Sequence, residues 1–301
     1  MDSGPSPVVS TASFANLPED VGRIVFELLA QDSTRDGLAC ALTSECFYRT
    51  IDAPTSTKPP HFFTRRVKVL VVNFNTKPEH IVAFLSKCTG IKTLACWLTT
   101  PAASTLVWDT MKSLPGLLTQ FSIRLDPLPD GVRDFSFTIF RNLTHLEIVS
   151  VNGAEWSWAS LADLKHLTHL SLDIPWNISR RLLKLTREIL GSSCPPNLRV
   201  FVVFFSGTDG TLPGPPPKDL DTRVVFATGD EEGDEGYPPA DDMIVRSVDD
   251  LVTDWAGRPV GTDFWTQAEQ IIRRRQLAAQ KKAEIAIPDH AGLRIELPNG
   301  T

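Results

Sequence analysis

Six stretches in the middle of the chain repeat one pattern of apolar and polar positions. Each fits L-x-x-L-x-L, in which apolar residues alternate at the end, as in a strand with one buried side. In the fourth stretch this alternation places Leu146 and Ile148 on one side. The stretches begin at Val67, Ile91, Leu118, Leu143, Leu167 and Leu198, with gaps of 24, 27, 25, 24 and 31 residues. The pattern predicts one strand per repeat.

Helical patterns lie between the strands. The clearest has Ile81, Phe84, Leu85 and Cys88 on one side of a helix that starts at a proline and ends before a glycine. The predicted helices span 78–88, 103–114, 156–164 and 180–190. One strand and one helix per repeat predict an α/β solenoid over 60–228, with parallel strands backed by helices, because neither unit buries its apolar side alone.

These repeats resemble irregular leucine-rich repeats, which often bind partners through the strand side that faces away from the helices. That resemblance assigns target binding to His145, Glu147, His169 and Ser171. The two histidines align in neighbouring repeats, but no cysteine or carboxylate cluster joins them at ligand spacing. We therefore predict a solvated sheet surface and no metal site.

The stretch FANLPEDVGRIVFELLA near the start of the chain predicts a short helix with a wide apolar surface. A second helix is expected over 33–49. Two such helices enclose too little volume to be stable alone, so a partner or the rest of the chain must cover them. The apolar and proline positions of this pair are Leu17, Pro18, Val21, Ile24, Val25, Leu28, Leu38, Leu42 and Phe47.

The pattern L-P-E-D-V-x-x-I-x-x-x-L, followed by L-A-x-A-L-T-S-x-x-F-Y, resembles an F-box over 14–52, of the kind expanded in fungi. F-boxes bind the Skp-type adaptor of cullin–RING ubiquitin ligases. The resemblance implies that the nine residues just named form the adaptor interface or its supporting core. It also implies that the chain is a substrate-recognition subunit, linked through the adaptor to a cullin. The alternative is that this helix pair caps the following domain.

The last third of the chain changes character. Residues 206–220 are rich in glycine and proline and predict a loop, and 222–228 predict a last strand. The acidic stretch 229–243 is expected to be flexible. Residues 244–284 predict a helical cap, in which Trp255, Phe264 and Trp265 pack a helix over 262–282 onto the end of the repeats. A lead (1–13) and a tail (285–301) complete the chain.

Charge and cysteine content limit the function classes and cellular locations that the sequence favours. The net charge of −6 and pI of about 5.6 argue against a general nucleic-acid binder. The basic run in the C-terminal helix is interpreted as a solvated helix end. The sequence has no apolar run long enough to predict a membrane span, and no secretory leader is expected. Five scattered cysteines favour an intracellular protein, cytoplasmic or nuclear, with reduced thiols.

The sequence shows no motif of nucleophilic, metal-dependent or phosphate-binding catalysis. The predicted function is therefore non-catalytic, with no cofactor: recognition of an unknown target protein for ubiquitination. A repeat-based interaction scaffold without a ligase link is the alternative, and an enzyme with an unrecognised site is a third possibility.

Overall fold

The computed structural model describes residues 62–72, 76–98, 101–125, 134–149, 156–175, 179–206, 220–229, 242–256 and 263–285. Within them the strands form one parallel sheet of eight, in chain order from β1 to β8. The strands are β1 Val69–Val72, β2 Thr93–Leu98, β3 Gln120–Leu125, β4 His145–Ile148, β5 His169–Pro175, β6 Val200–Ser206, β7 Val224–Thr228 and β8 Met243–Val245. The helices are α1 Phe62–Arg66, α2 Pro78–Lys87, α3 Pro101–Lys112, α4 Ser179–Leu190, α5 Val248–Ala256 and α6 Phe264–Ile285.

The predicted strands are confirmed. Each of the six repeated stretches contains one strand of the sheet, and the strand expected over 222–228 is β7. Strand β8 lies within 242–254, at the start of the expected helical cap, where the sequence predicts a short helix or strand. The sheet therefore runs one strand further than the repeats and the strand over 222–228. The structure thus shows an α/β, solenoid-like sheet.

The helices between the strands are confirmed in part. Helices α2, α3 and α4 lie where the pattern predicts them. The helix expected over 156–164 is instead a 3₁₀ helix at Trp158–Asp163, and a second one lies at Thr138–Phe140. We call the side of the sheet that these helices cover the repeat-helix face.

Aromatic rings fill the repeat-helix face where the 3₁₀ helices replace α-helices. The rings of Phe135 and Trp156 stack with centroids 4.9 Å apart, and Phe140 meets Phe135 edge-on at 5.3 Å. Trp108 of α3 joins the same cluster through Phe140. Leu146, Ile148, Leu170 and Leu172 are buried on this face, as the strand alternation predicts. The large rings supply the volume that a shorter helix leaves empty.

Side chains also tie neighbouring repeats together. Asn142 donates a hydrogen bond to the backbone oxygen of Gly116 at 2.5 Å, and Asn197 donates one to that of Lys165 at 2.7 Å. Gly90 packs against α1 so closely that a Cβ there would lie 1.9 Å from the backbone oxygen of Thr64. Only glycine permits this approach of two backbones.

The two C-terminal helices lie across the opposite side of the sheet, which we call the C-terminal-helix face. Helix α5 packs against β1 and β2, and α6 packs against β6, β7 and β8. Trp255, Phe264 and Trp265 are buried there, together with Val202 and Val225. The sequence predicts that these aromatic residues dock the C-terminal helices, but as a cap at the end of the stack. The structure places them on the face of the sheet, because that face is itself apolar.

Candidate functional site

A group of polar and aromatic side chains is buried between α5 and the middle strands of the sheet. We call it the buried polar cluster. Its members are Trp97, Ser122, Glu147, Arg246, Asp254 and Trp255. Strands β2, β3 and β4 contribute the first three, the end of β8 contributes the arginine, and α5 contributes the last two.

Glu147 is the centre of this cluster and is only 1% exposed. Its Oε2 accepts hydrogen bonds from Ser122 Oγ and Trp255 Nε1, both at 2.6 Å. Ser122 in turn accepts one from Trp97 Nε1 at 2.9 Å. Such charge-assisted bonds are stronger than neutral ones, and they compensate the carboxylate for its lost water.

Arg246 supplies the positive charge. Its Nη1 donates to Glu147 Oε1, and its Nε donates to Asp254 Oδ2 at 2.9 Å. The guanidinium carbon lies 3.7 Å from the ring centroid of Phe264, so the first turn of α6 covers the ion. This stacking is a cation–π contact, strengthened by exclusion of water. Arg246 therefore joins the sheet, α5 and α6.

Two carboxyl groups share one guanidinium in this cluster. Burial raises the pKa of Asp254 to about 6, and the neighbouring Glu147 charge acts in the same direction, while Arg246 opposes it. The raised pKa means that folding favours the protonated form of Asp254. The arrangement suits a structural connection between elements, because its charges are satisfied by one another and not by solvent.

Two buried polar atoms next to Glu147 have no hydrogen-bond partner among the described residues. One is Ser171 Oγ, on the strand that pairs with β4, and the other is Arg246 Nη2. Ser122 and Ser171 thus flank the same glutamate on neighbouring strands, but only Ser122 binds it. The two serines form a natural matched pair for mutagenesis.

A stacked pair of histidines lies under the first turn of α6. The rings of His145 and His169 are parallel within 10° and 4.1 Å apart. The Trp265 ring meets both edge-on, at 5.4 Å from His145 and 5.5 Å from His169. His169 Nε2 lies 3.2 Å from Glu269 Oε1, and its Nδ1 lies 2.8 Å from the Thr168 hydroxyl.

Burial lowers the pKa of both histidines to about 4. A charged His169 lowers the pKa of His145 further, and Arg199 does the same for His169, while Asp263 raises both. Both rings are therefore neutral at pH 7, which allows them to stack without electrostatic repulsion.

The four residues predicted to bind a target do come together, but beneath the C-terminal helices. Glu147 and Ser171 are fully buried, and His145 and His169 are covered by Trp265. In this arrangement a target protein reaches them only if α5 and α6 move away. The prediction of a solvated sheet surface is wrong here. The second side of the sheet carries its own apolar residues, and the C-terminal helices bury them.

Sequence reasoning did not single out Trp97, Ser122, Arg246 or Asp254. One pattern could have identified Ser122. Together with Glu147 and Ser171 it occupies the same strand position in three consecutive repeats. A row of polar residues in the middle of a buried sheet is uncommon and needs a partner. Arg246 follows a three-residue strand and has no such pattern around it.

The predicted adaptor-binding residues lie outside the described residues. They are Leu17, Pro18, Val21, Ile24, Val25, Leu28, Leu38, Leu42 and Phe47. The lead 1–13 and nearly all of the tail 285–301 and of the acidic segment 229–243 also lie outside them.

Neither metal sites, membrane-spanning helices nor similar proteins assign a function to the described residues. Within the described ranges, no three metal-ligating side chains are grouped to hold an ion. None of the described helices combines the length and apolar content needed to span a membrane. Comparison of the chain with family models, with curated proteins and with solved structures gives no match.

Proposed function

We propose that this protein is a non-catalytic substrate-recognition subunit of a cullin–RING ubiquitin ligase. The N-terminal helices would bind the Skp-type adaptor, and the domain that follows would hold a target protein. The observation that carries the proposal is the pattern L-P-E-D-V-x-x-I-x-x-x-L, placed directly before a repeating α/β domain. The five scattered cysteines, which favour an intracellular protein, agree with it.

The geometry of the sheet supports a positioning role. Eight strands at about 4.8 Å spacing extend roughly 34 Å from β1 to β8. Helix α5 rests on the first two strands and α6 on the last three, so the C-terminal helices brace both ends of the sheet. A braced sheet suits a subunit that holds a target at a fixed distance from the ligase, which supplies the chemistry.

The buried polar cluster supports a non-catalytic reading. Its glutamate, arginine and tryptophans bond to one another across the sheet and the C-terminal helices. Groups with these partners contribute to packing between elements, whereas a catalytic acid or base must reach a substrate.

Calorimetric titration of the full-length chain with purified Skp-type adaptor tests the proposal. We expect binding by the wild type and its loss in a Leu17→Asp, Pro18→Ala variant. The matched control is Leu106→Asp on α3, where the leucine is 47% exposed and the same change should leave adaptor binding intact. Circular dichroism must show that all three proteins are folded.

A folded wild-type chain that does not bind the adaptor contradicts the proposal. The repeat domain would then serve as an interaction scaffold without a ligase link, and the N-terminal helices would pack against the chain's own domain.

A further inference from the structure

The second half of α6 projects beyond the sheet. The helix has 22 residues, a length of about 33 Å. Its first half is held by buried side chains that include Trp265, Ala268, Ile271 and Ile272. From 276 to 284 every residue is exposed.

Arg275 marks the point where the helix leaves the sheet. It donates to the backbone oxygen of Val224 at 2.6 Å and to that of Asp242 at 3.3 Å. These two residues stand at the starts of β7 and β8, the last strands of the sheet. The residues after Arg275 therefore extend past β8, beyond the last of the described strands.

The C-terminal part of α6, from 273 onward, is basic and contains one exposed leucine. Between 273 and 285 there are five basic residues and one acid, a net charge of +4 in a chain whose net charge is −6. Arg273, Leu277 and Lys281 are four residues apart and so form one row along the helix. Leu277 is 49% exposed, the largest exposure among the large apolar side chains described.

We propose that this basic row, Arg273, Leu277 and Lys281, together with the adjacent Lys282, docks an acidic groove or acidic helix of a partner protein. Under the proposed function that partner is the target, and this identification alone rests on that function. The C-terminal-helix face is occupied by α5 and α6, so the docking surface lies on the outside of α6 and not on the strands.

The chemistry favours an acidic protein over the other occupants. A second copy of the chain would bring like charges together along the helix, which is repulsive. Nucleic acid would offer phosphates to the basic residues but would leave Leu277 without an apolar pocket. A leucine between cations fits a protein groove that offers carboxylates at its rim and an apolar pocket at its centre.

Fluorescence anisotropy on the full-length chain tests the docking surface. The probe is a fluorescein-labelled peptide of twenty residues, glutamate with leucine at every fourth position. The variant Arg273→Glu/Lys281→Glu/Lys282→Glu keeps good helix formers and should lose at least about tenfold in affinity. Leu277→Ala, which keeps every charge, should lose about threefold or more.

The matched control reverses three exposed lysines elsewhere, in Lys92→Glu/Lys165→Glu/Lys184→Glu, with the same change in net charge. We expect its affinity to stay within about threefold of wild type. Equal losses in the two triple variants would show charge attraction without a site and would overturn the proposal. Tighter binding of a twenty-nucleotide single-stranded DNA than of the peptide, lost in the same α6 variant, would assign the row to nucleic acid and also overturn it.

Adaptor titration of the α6 triple variant separates this inference from the proposed function. We expect unchanged adaptor binding. If the adaptor binds but the peptide does not depend on the basic row, only the docking surface is wrong. If the peptide depends on the row but the wild type does not bind the adaptor, the docking surface stands and the ligase function falls.

Discussion

The two faces of the sheet are both buried, but they are built by different means. On the repeat-helix face, leucines, isoleucines and aromatic rings pack against helices that are neighbours in the sequence. On the C-terminal-helix face, Glu147 meets Arg246 from 99 residues away and Trp255 from 108 residues away. Contacts on the repeat-helix face are local and apolar, whereas the C-terminal-helix face adds to its apolar residues a buried charged cluster whose partners lie far along the chain. The comparison teaches that a repeating sheet can use its second face for its own chain.

The first way to test this contrast is to remove the arginine of the buried polar cluster. Arg246→Met leaves two carboxyl groups in a buried site without their cation, and we expect a loss of about 3–5 kcal/mol in the free energy of unfolding. Urea unfolding at pH 7, followed by tryptophan fluorescence, measures it. A loss below about 1 kcal/mol would show that the charge is solvated and that α5 does not seal this face.

A second variant removes all three charges of the cluster and so separates the effect of the charge from that of packing. The variant Glu147→Gln/Arg246→Met/Asp254→Asn keeps the volume but leaves no uncompensated ion, so it should recover about 2–4 kcal/mol relative to Arg246→Met alone. The same unfolding experiment provides the comparison. No recovery would mean that the arginine stabilises the fold through packing on Phe264 and not through its charge.

The two serines beside Glu147 test the cluster at one atom each. Ser122→Ala removes a bond to the carboxylate and leaves the Trp97 N–H without its acceptor, at a cost of about 1.5–3 kcal/mol. Ser171→Ala removes a buried hydroxyl that has no partner and should change the unfolding free energy by less than about 0.5 kcal/mol, or raise it. Equal losses at the two positions would contradict the hydrogen-bond assignment.

The histidine pair predicts a pH dependence. Because the folded pKa of each ring, about 4, lies below the unfolded value of 6.5, their contribution is full above pH 6.5 and is lost as the pH falls towards 4. The pKa of Asp254 is raised from 3.8 to about 6, so its contribution to stability has the opposite sign and is lost as the pH rises through that window. The two histidines outweigh the one carboxyl group. The free energy of unfolding should therefore fall by about 1.4 kcal/mol for each pH unit of acidification from pH 6.

Urea unfolding at several pH values between 7.5 and 4.5 measures this dependence. His145→Gln/His169→Gln should reverse its sign, because Asp254 is then the described group whose raised pKa, about 6, falls in this window. Adding Asp254→Asn to that variant should flatten it. A dependence that the histidine variant leaves unchanged would show that the rings are solvated and that Trp265 does not cover them.

Particular residues show how far sequence reasoning reached. The alternation at Leu146 and Ile148 predicted both the strand β4 and its buried side, because that pattern is local. The helix over 156–164 became a 3₁₀ helix, since the packing of Trp156 and Trp158 against Phe135 decides the local geometry. His145, Glu147, His169 and Ser171 were expected at the surface but lie beneath the C-terminal helices, because the residues that cover them lie far along the chain.

The strands, their spacing and the apolar face that the repeat helices bury could all be predicted from the amino-acid pattern. Those features follow from a period of two within each strand and from the repeat length, which the chain encodes residue by residue. That α5 and α6 fold back over the other face, and that Arg246 neutralises Glu147, follows from long-range contacts in the folded chain. Burial of a charge depends on the whole set of groups brought around it, and no local pattern specifies a partner 99 residues away.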